Sequence, residues 1–162
     1  MDFTKIIFEK NSGYDVSDED LNRIEHKYSF KFPQVLRQYY LSYNGAALKD
    51  LYADGIANEG FGLHDIYPVK YKWDYSQGNK VMPVLADVGQ MEEFYEWSKD
   101  DFPVVVDNDL VPFANEAGGD EYYWQKNTGA VFYLCHEDID NLIPAFDSVD
   151  AFFEAFIRAA EE

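Results

Sequence analysis

The segment Pro112-Phe113-Ala114-Asn115-Glu116-Ala117-Gly118-Gly119-Asp120-Glu121-Tyr122-Tyr123 carries the first structural decision. Apolar and aromatic residues flank a small polar centre. Gly118 and Gly119 take positive φ without a Cβ penalty, and Asp120 hydrogen-bonds readily to turn backbone. The segment therefore predicts strand, tight connection, strand. Leu110 to Ala114 forms the first strand and Glu121 to Gln125 the second. Asn115 offers a further side-chain contact just after the first strand. Asp120 is then a structural acid first and a partner contact second.

The pattern extends in both directions. Ala130 to Cys135 reads as another strand, reached through a Lys126-Asn127-Thr128-Gly129 hairpin turn. Ser148 caps a terminal helix whose apolar stripe is Val149, Phe152, Phe153, Phe156 and Ile157. Upstream, Phe102 to Val106 is a short apolar run and predicts a strand. Asp87 to Trp97 predicts a helix with Val88, Met91, Phe94 and Tyr95 on one side. Gly60 to Pro68 predicts strand and turn. Phe32 to Gly45 is a helix with clear punctuation: Pro33 suits its first position and Asn44-Gly45 a left-handed stop. Leu36, Tyr39, Tyr40 and Tyr43 form its inner face. Ser17 caps an earlier helix carrying Leu21, Ile24 and Tyr28, and Met1 to Asn11 predicts a short helix with Phe3, Ile6 and Ile7 together. No repeat and no linker divides the chain, so residues 1–162 read as one domain with a helical start, a β-rich middle and a final helix.

Composition narrows the function. Of 162 residues, 47% are hydrophobic and 18% aromatic, enough for a core. Asp and Glu number 31 against 13 Lys and Arg, a net charge of −18. Such a chain repels nucleic acid and anionic membranes and attracts basic partners. The one cysteine, Cys135, excludes an internal disulfide framework and cysteine-rich metal sites. No signal peptide or membrane span is legible, and the expected location is cytoplasmic.

Gly118-Gly119-Asp120-Glu121-Tyr122 is one aromatic swap from the signature of enzymes that join two GTP molecules. The required acidic metal ligand on an earlier strand is missing, and Asp138-Ile139-Asp140 lies on the wrong side of the motif. Only Tyr123 to Glu162 follow, too few for the rest of such a domain. His64-Asp65 and His136-Glu137 offer no spacing that demands a metal, and His26 reads as solvated. Cys135 and His136, as strand neighbours, point to opposite faces and form no nucleophile–base pair. Asp107-Asn108-Asp109 lacks the Gly and distal Glu of a calcium loop. No catalytic set, cofactor or metal site is assigned.

Several segments together resemble the SUKH superfamily of fungal cell-wall-assembly regulators and bacterial immunity proteins. Phe32 to Gly45 looks like its Leu-Pro, aromatic helix and Asn-Gly-Gly pattern. Gly62-Leu63 is similar to its Gly-Leu strand, and Phe113 to Asp120 to its Phe-Ala-x-x-x-Gly-Gly-Asp motif. Val131 to Glu137 resembles the strand ending in Asp-His-Glu, and Ser148 to Ile157 the closing helix. The likeness spans residues 17–160. Phe32, Ala46 and Cys135 depart from it, standing where Leu, Gly and Asp are common. The resemblance implies an α+β fold, a mixed or antiparallel β-sheet flanked by N-terminal helices and a C-terminal helix. It implies no catalysis. Its bacterial members bind toxins, often nucleases; its fungal members act through protein contacts.

A nuclease toxin must be basic to hold its substrate, so an acidic antidote gains steering toward it. The expected partner is a basic toxin domain, not nucleic acid or membrane. Candidate contacts are Glu92, Glu93, Glu96, Trp97, Asp107, Asp109, Glu121 and Trp124, with Asn115, Gly118, Gly119, Asp120, His136 and Glu137 as the structural motif. Aromatic strands that can pair at an edge leave a homodimer open. The competing readings are a regulatory or scaffold module of the same fold, and a nucleotide-binding enzyme built on Gly118 to Glu121.

Overall fold

The structure is a computed structural model that describes residues 1–9, 15–70, 72–77, 80–85 and 89–162, with only the backbone course for 72–77 and 80–85. A single 3-10 turn, Phe3–Lys5, opens the chain and is capped by the Asp2 carboxylate, which accepts from the Thr4 N–H. Strand β1 (Ile7–Glu9) follows, where the sequence predicts continued helix. It pairs antiparallel with β2 (Ala47–Leu48), and this tertiary pairing overrides the local apolar spacing. Residues 10–14 lie outside the described set.

Helix α1 (Asp18–Tyr28) has a complete capping box: the Ser17 hydroxyl accepts from the Asp20 N–H, and the Asp20 carboxylate accepts from the Ser17 N–H. Helix α2 (Gln34–Tyr43) starts one residue later than expected, with Pro33 as its cap, and stops at Gly45 with φ of 74°. The short strands β3 (Leu51–Asp54) and β4 (Gly60–Leu63) form a hairpin. Strand β5 (Asp65–Ile66) joins the main sheet, and β6 (Lys72–Gln77) with β7 (Lys80–Leu85) makes a separate two-stranded pair.

Helix α3 covers Gln90–Asp101; residues 86–88 of the expected helix lie outside the described set. Gly89 precedes it because an added Cβ would collide with the Val69 backbone. Next comes α4 (Pro103–Asp107), a helix where the sequence predicts a strand. Pro103 pre-sets φ for a first helical turn. Phe102 and Val105, three apart, then meet the core while Val106 faces solvent, a helical and not an alternating burial.

Strands β8 (Leu110–Asn115), β9 (Glu121–Gln125), β10 (Val131–Leu134) and β11 (Leu142–Phe146) complete a five-stranded antiparallel sheet in the order β11-β10-β9-β8-β5. Helix α5 (Val149–Ala159) closes the chain, capped by Ser148. Sheet residues Phe113, Tyr122 and Trp124 pack with Tyr39 and Tyr40 of α2 and Phe152, Phe153 and Phe156 of α5 in one large cluster. On the other face Phe102 and Val105 cover Leu110, Tyr123 and Leu134. The central strands β8 and β9 are therefore buried on both sides. The fold is α+β, as expected, with a wholly antiparallel sheet.

Candidate functional site

The Gly-Gly-Asp segment makes the connection between β8 and β9. The Glu116 N–H donates to the Asp120 carbonyl at 3.0 Å, and the Gly119 N–H donates to the Glu116 carbonyl at 3.1 Å. Gly119 has φ of +94°, a conformation that disfavours any side chain. The turn orients Asp120 by register. Glu121 pairs with Leu134, so Asp120 lies opposite the residues that follow β10. There the backbone leaves the strand and turns, with the Asp138 N–H donating to the Cys135 carbonyl at 3.0 Å.

Asp120 is the hub of this end of the sheet. Its Oδ2 accepts from the Tyr133 hydroxyl at 2.5 Å. Its Oδ1 accepts from the His136 N–H at 3.0 Å and lies 2.5 Å from His136 Nδ1. Partial burial pulls its carboxyl pKa upward, but donors from Tyr133, His136 and Cys135 together hold it below the ordinary value. The lowered value favours the ionised form of Asp120, which can accept across the short contact from His136 in its Nδ1–H tautomer. Ligand atoms of Asp120, Cys135 and His136 all lie within 4.8 Å of one another. The expectation that Cys135 and His136 point apart is corrected: β10 ends at Leu134, so strand alternation no longer governs them. Both side chains turn toward Asp120.

The next acid is different. Glu121 is buried on the opposite face, accepting from the Tyr67 hydroxyl at 3.0 Å and from the Tyr123 hydroxyl. Burial pushes its carboxyl pKa up against those two hydrogen bonds. A Glu enclosed by two tyrosines is not presented to a metal-bound triphosphate, and the Gly-Gly-Asp-Glu-Tyr string serves a hairpin here.

The expected contact residues divide sharply. Glu92 is fully buried and paired with Arg23 at 2.9 Å and Lys27 at 3.1 Å. Together with buried Glu121 and Trp124 it leaves the list of surface contacts. Their helical or strand periodicity places them inward, which residue type alone concealed. Glu93, Glu96, Trp97, Asp107 and Asp109 are exposed, as are Gly118, Gly119, His136 and Glu137, while Asn115 is partly buried. Trp97 is 48% exposed, its ring resting edge-on against Phe102 at 5.0 Å. Around it stand Glu93, Glu96, Asp100 and Asp101 of α3, with exposed Val106 on α4. Lys99 pairs with Glu96 at 3.4 Å. Sequence reasoning missed Tyr133, Tyr67 and Arg23, whose roles depend on long-range placement.

The model of the SMI1 / KNR4 family (SUKH-1) matches residues 15–155. The chain belongs to the SMI1 / KNR4 family. The match runs from the approach to α1 into α5, so it includes both the Asp120 turn and the α3–α4 surface. No curated protein and no solved structure matches the chain. Cys135 therefore stands in a SUKH-1 framework at a position where the sequence resemblance leads one to expect Asp. No helix of the described residues is long and apolar enough to cross a membrane.

Proposed function

We propose that this SUKH-1 protein is a non-enzymatic binding module, a bacterial immunity protein that neutralises a basic toxin domain by occupying its substrate groove. The carrying observation is the α3–α4 surface, where exposed Trp97 sits among Glu93, Glu96, Asp100 and Asp101. A half-exposed Trp fixed by Phe102 is a pre-organised anchor, and acids around it steer a cationic partner. Asp107 at the end of α4 and Asp109 just after it extend the same charge. Asp120 and Glu121, by contrast, are held by internal hydrogen bonds and support the scaffold.

Inhibition is by occlusion, so the site needs no nucleophile, cofactor or bound nucleotide. Co-expression with its cognate toxin domain, sought among the genes beside its own, is expected to restore growth, and the pair to elute as a 1:1 complex. The absence of both rescue and complex would overturn the proposal. The family match favours one other reading, a regulatory module of the cell-wall-assembly type. That reading expects the same surface to retain a housekeeping protein and gives no protection from a toxin.

A further inference from the structure

Three chemically different ligands converge at one end of the sheet. Asp120 contributes a carboxylate oxygen, His136 an imidazole nitrogen and Cys135 a sulfur, all within 4.8 Å. From this geometry we infer that Asp120, Cys135 and His136 form a binding site for a divalent transition-metal ion of the zinc class, with solvent in the fourth position.

The donor set selects the metal. A thiolate and an imidazole are poor ligands for Mg²⁺ or Ca²⁺, which take oxygen. One sulfur, one nitrogen and one oxygen suit Zn²⁺, which accepts three protein ligands and keeps an open position. His136 is half exposed and Cys135 partly so, which leaves that position facing water.

The arrangement around the ligands is already ordered. The Tyr133 hydroxyl binds Asp120 Oδ2 and so aims Oδ1 toward His136. A hydrogen bond to a ligating carboxylate of this kind tunes and orients the ligand. Tyr133 is fixed in turn by ring contacts with Phe61 at 5.2 Å and Tyr122 at 5.2 Å. The ion pairs of the described residues give Asp120 no Lys or Arg to compete with a cation. Exposed Glu137, Asp138 and Asp140 lie on the adjoining turn and add negative charge nearby.

Binding replaces protons by metal. The thiol proton of Cys135 leaves to solvent, and the imidazole proton moves from Nδ1 to Nε2, which frees Nδ1 to ligate. The Nδ1–Oδ1 separation must open from 2.5 Å. Bonds of about 2.0–2.1 Å around a tetrahedral ion need roughly 3.3 Å between these atoms. His136 is exposed on a turn, and a ring rotation there supplies the difference.

The test uses the full chain, stripped with a chelator and titrated with Zn²⁺ alone, then with Co²⁺ as a spectroscopic probe. One Zn²⁺ per chain is expected. Co²⁺ should give a near-ultraviolet thiolate charge-transfer band and strong visible bands of four-coordinate geometry. C135S should abolish the charge-transfer band and weaken Zn²⁺ about 100-fold, and Y133F should keep the band and weaken Zn²⁺ by about tenfold. Thermal melts of the metal-free variants check that each still folds; if C135S does not, Cys135 alkylation blocked by Zn²⁺ replaces it. No Zn²⁺ uptake by the wild-type chain overturns the proposal. So does equal uptake by the wild type and C135S, which would mean loose adsorption to the acidic surface.

Discussion

Asp65 shows how a single residue sets a pH dependence. It lies in β5 opposite Asn115. Burial, partly offset by the His64 charge and the Ile66 N–H, pushes its carboxyl up to about 6 from an ordinary 3.8. The folded chain therefore holds a proton that the unfolded chain has lost between those values. The stability linked to Asp65 is complete below the ordinary value and is lost as pH rises through about 6. D65N removes the ionisation and should stabilise the protein by up to about 2–3 kcal/mol near pH 8, and by almost nothing near pH 4. Denaturant titrations at both pH values check this; equal gains at both would contradict it. Glu92 makes the companion case. It is fully buried, whereas Arg23 and Lys27 are about half exposed. Deleting both cations strands a buried carboxylate and should cost about 3 kcal/mol or more, whereas E92Q leaves two cations that solvent can reach and should cost less. Melting temperatures that rank the variants the other way would refute the asymmetry.

Local chemistry explains which elements were legible. Pro33 and Asn44-Gly45 bracket α2 within a residue, because proline and glycine punctuate backbone directly. The Lys126 to Gly129 turn falls between β9 and β10, and Gly129 has the positive φ that such a turn requires. Strand β11 was not legible because Pro144 lies inside it. The sheet tolerates that proline because β11 is an edge strand, with one side free of ladder bonds. The run Phe102 to Val106 was ambiguous by length, and in the fold the burial of Phe102 and Val105 with Val106 exposed marks it as helix. The Asp120 site was half legible. Its Gly-Gly turn follows from residue type, but its link to His136 depends on the Glu121–Leu134 register. At this scale S17A should cost about 1 kcal/mol by removing one half of the capping box on α1. Urea unfolding measures it, and no loss would contradict the role of the cap.

Across the whole molecule, charge is sorted as well as abundant. Arg23, Lys27, Lys31, Arg37, Lys70 and Lys99 are all engaged with carboxylates. With a net charge of −18, such pairing leaves uncompensated acids over much of the remaining surface. The field of such a surface accelerates encounter with a cationic partner, and salt screens it. Reversing Glu93 and Glu96 to Lys should therefore slow association without comparable change in dissociation. Trp97 should act in the opposite way, on dissociation, because an anchor is released only when the complex parts.

The most direct measurement is the affinity of a basic toxin domain, the partner proposed above, for the wild-type chain and for W97A, at low and high salt. The account expects a 1:1 complex weakened by salt and weakened by W97A by about 2 kcal/mol or more, with the fold of W97A intact. A complex indifferent to both salt and W97A would place the contact elsewhere and contradict it.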